Sequence, residues 1–137
     1  TLGLFLSLAR SSPPPTIDAR DLNQMKIFAY RDWQSTGVTV NPGDVVNIRA
    51  RGRWLYTPNE WHGPAGHPRF RAPQFYPLPG VPGGALIGKI GDNGKPFYVG
   101  ANISIRTQAS GQLYLRIDDD ILSDNEGEVD VDVRVER

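Results

Sequence analysis

Valines at positions 129, 131, 133 and 135 alternate with Glu128, Asp130, Asp132, Arg134 and Glu136 near the end of the chain. A two-residue period puts all four valines on one face and the charges on the other, which predicts a half-buried strand over residues 128–136. The same alternation runs through residues 45–53, where Val46, Ile48 and Ala50 share a face opposite Arg49, Arg51 and Arg53. Shorter strands are predicted over residues 25–30, 38–40, 85–90, 96–99, 102–107 and 112–117. Turn signals separate them, among them Asn41-Pro42-Gly43-Asp44 and Gly91-Asp92-Asn93-Gly94. Residues 57–83 are rich in Pro, Gly and aromatic side chains and show no period, which reads as one long loop. A weak helix candidate covers residues 17–24. Many short strands at this spacing predict an all-β chain, an antiparallel β-sandwich.

The first 24 residues read as an extension ahead of a body spanning 25–137. Leu2, Leu4, Leu6 and Leu8 alternate with other residues, and Pro13, Pro14 and Pro15 follow as a stiff spacer. Three readings stay open for this stretch. It is the tail of a signal peptide's apolar region, or a strand that folds back on its own sandwich. Otherwise it is a strand donated to a neighbouring subunit, which would build a homopolymer or filament. The chain begins with Thr1, so a processed or longer precursor is expected.

Composition narrows the function. At 137 residues the chain is long enough for one domain with a real core. Fifteen basic and fifteen acidic residues cancel, which gives no electrostatic case for nucleic acid or an anionic membrane as main partner. Without cysteine there is neither a disulfide framework nor a thiolate metal site. No apolar run approaches the roughly 20 residues that span a bilayer. The row Arg49, Arg51, Arg53 and the row Glu128, Asp130, Asp132 match in length and oppose in sign. They are expected to pair across strands on a solvated face rather than to form an anion site.

Nine of the fifteen acids fall within the last twenty residues. The run from Asp118 to Gly127 crowds several carboxylates into one loop between two strands, and like charges that close are costly unless a cation joins them. Hard oxygen ligands at irregular spacing suit calcium, which takes six to eight oxygens in flexible geometry. The alternative is a solvated acidic turn. An EF-hand is excluded, because Leu122 would fall on the third side-chain ligand position. His62 and His67 lie five apart, and a zinc site there needs a third ligand. Ser and His occur without a nucleophile elbow. The acid pairs suit a cation better than a glycosidase pair. Gly80 to Gly84 opens onto no helix, so no phosphate loop follows. No catalytic constellation is present, and a non-enzymatic protein is expected.

Five segments in order resemble the LecA family of small, calcium-dependent, galactose-binding bacterial lectins. They are Asn41-Pro42-Gly43-Asp44-Val45-Val46; Gly52-Arg53-Trp54-Leu55-Tyr56-Thr57-Pro58; Trp61-His62-Gly63-Pro64 through His67-Pro68; Gly84-Ala85-Leu86-Ile87-Gly88-Lys89-Ile90-Gly91; and Asp118-Asp119 followed by Asp124-Asn125-Glu126-Gly127. The resemblance covers about residues 26–135. It implies a jelly-roll-like antiparallel β-sandwich with calcium at one end, bridging protein to sugar hydroxyls. It implies metal ligation by the main chain of Tyr56, by Asp119, by a carbonyl near Leu122, and by Asp124 and Asn125. It implies sugar contacts from His67, Asp119, Asp120 and Asp124, a galactose-containing glycan as partner, and a secreted or cell-surface, homo-oligomeric protein. The chain departs from the family in three places, one of them the segment Arg69–Gly83, which is longer and contains Pro73, Pro77, Pro79 and Pro82. The acidic loop is two residues shorter, and Phe70 stands where the family has a polar sugar contact.

Overall fold

A computed structural model describes residues 22–57 and 60–137. Among these residues nine strands follow in order: β1 Leu22–Phe28, β2 Gln34–Val40, β3 Val45–Thr57, β4 Glu60–His62, β5 Leu86–Ile90, β6 Phe97–Tyr98, β7 Asn102–Arg106, β8 Gly111–Ile117 and β9 Glu126–Glu136. They form two antiparallel sheets. One has the order β1-β9-β3-β4, with β7 also on β3, and the other has the order β2-β8-β5-β6. The predicted all-β sandwich is what is found. Among the described residues there is no helix, and hence none able to cross a membrane. The Leu2, Leu4, Leu6, Leu8 stripe and the proline spacer lie outside the described residues.

Alternation sets the layers. In β9, Val129, Val131, Val133 and Val135 are buried; in β3, Val46, Ile48, Ala50, Trp54 and Tyr56 face the same core. Opposite them stand Val38 and Val40 of β2, Leu86 and Ile90 of β5, and Leu113, Leu115 and Ile117 of β8. Each such side chain removed from water contributes about 1.5–3 kcal/mol, so the two inner faces hold the sandwich together. Trp54 is the largest fully buried side chain, and its indole N–H donates to the Gly84 carbonyl at 2.9 Å.

The charged rows meet as expected. Antiparallel register puts Arg49 opposite Asp132, Arg51 opposite Asp130 and Arg53 opposite Glu128. Arg51 also reaches diagonally to Asp132 at 3.2 Å, and Lys26 of β1 bonds Asp130 at 2.8 Å and Glu128 at 3.3 Å. An open groove of about 460 Å³ on this face, lined by Asn47, Arg49, Asn102, Ser104, Asp132 and Arg134, belongs to the same solvated rows.

Two sequence expectations are corrected. Residues 22–24 of the weak helix candidate are strand, because β1 pairs along its whole length with β9, from Leu22 opposite Arg134 to Phe28 opposite Glu128. Cross-strand pairing overrides local propensity there. The long loop is interrupted at its start by β4, whose Trp61 and His62 pair with Leu55 and Trp54.

Candidate functional site

The acidic loop sits at one end of the sandwich, between the end of β8 and the start of β9. The β5–β8 ladder continues one step past its strands: Asp118 N–H donates to Ala85 O, and Gly84 N–H donates to Asp118 O, both at 2.8 Å. This carries Asp118 and Asp119 into the interior, where they are 0% and 4% exposed. The long segment after β4 lies over Asp118 and gives it one partner, the Leu78 N–H at 3.0 Å on Oδ1. Oδ2 has no partner. Burial pushes the Asp118 carboxyl up to about 6 and raises that of Asp119 as well.

Asp119 and Asn125 are joined directly. The Asn125 amide donates one proton to Asp119 Oδ2 at 2.8 Å and the other to the Ala29 carbonyl at 3.0 Å. Both partners only accept, so the side-chain nitrogen must face them and Oδ1 must face the other way. That oxygen is buried and unpartnered. Ile121 N–H reaches Asp119 Oδ1 at 3.3 Å, and Asn125 N–H closes the loop on the Leu122 carbonyl at 3.1 Å. Asp120 and Asp124 are exposed. The loop therefore offers a buried carboxylate, a buried orphaned amide oxygen, a carbonyl and an exposed carboxylate. All are hard oxygens, the donor type that calcium takes and a soft metal does not.

Tyr56 arrives at the same end on β3. The β3–β9 ladder stops at Leu55 opposite Glu126, and on the other side the register slips between Leu55 and Thr57, which leaves Tyr56 as the bulged residue. A bulge frees backbone groups from the ladder and re-aims them, as is common beside functional sites. The Tyr56 ring is buried under Gly84, whose φ is +76° and whose missing Cβ would fall 2.6 Å from that ring. Its hydroxyl meets that of Tyr76 at 2.6 Å. Burial is the main reason it stays protonated far above the usual phenol range, and the acids at 118 and 119 add to this.

His67 lies beyond Tyr56. Its Nδ1 accepts the Arg69 N–H at 3.0 Å, and its Nε2 meets Glu60 Oε1 at 3.0 Å, so both ring nitrogens are engaged. His62 Nε2 meets the same Glu60 oxygen at 2.9 Å. Phe70 is 43% exposed and stands with its ring centre 6.2 Å from that of His67 and 6.5 Å from that of Tyr56. Phe75, 70% exposed, packs on Tyr76, so an aromatic rim borders the acidic loop.

Sequence reasoning missed two supports. Arg116 is buried on the outer side of β8. Its guanidinium donates to the Asp119 carbonyl at 2.6 Å, the Ile117 carbonyl at 2.8 Å and Asp32 Oδ1 at 2.5 Å, which fixes the Asp119 main chain. Glu60 is the other, and its only signal was its place two residues before His62.

The two-sheet fold is a lectin-like β-sandwich. The chain superimposes on a solved structure described as the EclA N-terminal domain, a PllA-like lectin, with a TM-score of 0.68 and 25% sequence identity. The match covers 86% of this chain and 100% of that one. No protein-family model and no curated protein matches the sequence.

Proposed function

We propose that this protein is a non-enzymatic carbohydrate-binding module whose acidic loop holds calcium and binds a galactoside-type sugar through it. The observation that carries the reading is the buried, unpartnered Oδ1 of Asn125, a side chain whose amide nitrogen is bonded to the Asp119 carboxylate. A buried acceptor without a donor is costly, and a carboxylate pair in the interior is costlier still, unless a cation completes them. The lectin-like neighbour supports carbohydrate as the ligand class.

Asp119, Asp124, Asn125 and the carbonyls of Tyr56 and Leu122 are the residues that would hold the ion. Calcium, when bound, supplies open positions that a sugar diol fills as a neutral, two-oxygen ligand. Asp119, Asp120 and Asp124 accept hydrogen bonds from sugar hydroxyls, strengthened by their charge. Phe70 offers an apolar face to the C–H side of the ring. His67 contacts sugar only by exchanging its bond to Glu60 or to Arg69. A secreted or cell-surface setting and homo-oligomeric assembly go with this reading, since repetition multiplies weak sugar contacts.

The test is calorimetric titration of the metal-stripped protein with calcium, then galactose in the same cell. Calcium heat, followed by galactose heat that a chelator removes, is the expected result. Galactose binding that survives the chelator would overturn calcium dependence, and the absence of calcium heat would overturn the site.

A further inference from the structure

We propose a second metal site, for zinc, formed by Glu60, His62 and His67. It stands on residues separate from the acidic loop, shares only His67 with the proposed sugar contacts, and does not depend on the sugar-binding reading. Glu60 and His62 are two residues apart on β4, so strand geometry turns both toward one face. The loop after β4 returns His67 to the same point. The three ligand atoms lie within 4.8 Å of one another, with Glu60 Oε1 at 2.9 Å from His62 Nε2 and 3.0 Å from His67 Nε2. Two imidazoles and one carboxylate are a zinc donor set, and bonds of about 2.0–2.2 Å place tetrahedral ligand atoms roughly 3.3 Å apart. The two edges from Glu60 to the imidazoles need to open by only a few tenths of an ångström. The histidine side chains are 13% exposed and Glu60 is 46% exposed, so the ion has a route in and the carboxylate is free to adjust.

The metal-free state defines what zinc entry must change. His67 Nδ1 accepts the Arg69 N–H, so its ring proton sits on Nε2 and points at Glu60. Zinc takes the Nε2 lone pair, which moves that proton to Nδ1 and turns the amide of exposed Arg69 to water. His62 Nδ1 takes up its own ring proton the same way. Three protein ligands leave the fourth position to water. The consequence is mechanical: the ion ties edge strand β4 to the segment that carries Phe70.

The experiment uses the full chain, freed of metal and titrated with zinc chloride beside calcium chloride. One equivalent of zinc is expected to bind at these residues. His62→Ala and Glu60→Gln are each expected to weaken it tenfold or more and to leave the calcium titration unchanged. Cobalt(II) in place of zinc is expected to give the visible absorption of a tetrahedral nitrogen–oxygen site, lost in His67→Gln. Zinc heat and a cobalt spectrum that all three folded variants retain would overturn the proposal. So would no zinc binding by the parent chain, which would leave Glu60 as a hydrogen-bonding bridge between two imidazoles. Should one variant unfold, the other two decide the outcome.

Discussion

Two acidic regions stand side by side in sequence and behave in opposite ways. The row Glu128, Asp130, Asp132 on β9 is on the solvated face, opposite arginines and within reach of Lys26. The Lys26 ammonium beside Asp130 lowers the carboxyl of that residue. The loop acids Asp118 and Asp119, ten residues earlier, are buried and form no salt bridge among the described residues, and burial raises both in spite of the nearby Arg116 charge. The residue type is the same. Access to water and a counter-charge decide whether the carboxylate is at ease or held under load. A row of paired acids is a solvated surface, whereas a pair of buried, under-partnered acids is a concentration of unmet charge.

The comparison is broken most severely by Asp119→Ala. It removes the one buried carboxylate bonded to Asn125 and is expected to lower calcium affinity about 100-fold or more, read by calorimetry. Asn125→Ala comes next. It strips the Ala29 carbonyl and Asp119 Oδ2 of their donor, at a cost of about 2–3 kcal/mol in denaturant unfolding. A loss below about 0.5 kcal/mol would mean that water replaces the amide there.

The pH response sharpens the contrast. Asp118 titrates near 6 when folded and near 3.8 when unfolded, so the folded state favours its proton. Its stabilising share is complete below about pH 3.8 and is lost as pH rises to about 6, on the order of 1–2 kcal/mol, with Asp119 acting in the same direction. Metal-stripped protein is therefore expected to lose stability across that window. Calcium, which favours the ionised loop, is expected to restore it at neutral pH. Asp130 has the reverse sign, since its lowered carboxyl adds stability that is lost only as pH falls through its folded value. Smallest of all is Asp130→Asn, expected to move the melting temperature by no more than about 1–2 °C, an effect that salt erases.

What the sequence revealed follows the same division. Strands β3 and β9 were legible because each alternates over many residues and buries a whole face. The acidic loop was legible because crowding of one charge is itself a signal. Strand β4 was not, because Glu60-Trp61-His62 is too short to show a period and becomes a strand only by lying on β3. The start of β1 was misread because Leu22-Asn23-Gln24 carries no strand pattern of its own and borrows its form from β9. Arg116 was invisible as a support, since a lone arginine in a strand gives no hint that it will bond the carbonyl of Asp119. Burial and long-range bonding made these residues matter, and neither is written locally.

The Asn125 amide has a role beyond the loop it closes. It spans from the acidic turn to Ala29, just past the end of β1, so one planar group is shared by the turn and the first described strand. A cation drawing on Oδ1 polarises that group and makes its N–H protons stronger donors. The Ala29 carbonyl then becomes a spectroscopic antenna. An isotope label placed on it should shift its infrared stretch to lower frequency when the turn is charged, so that occupancy is readable from a residue that never touches the ion.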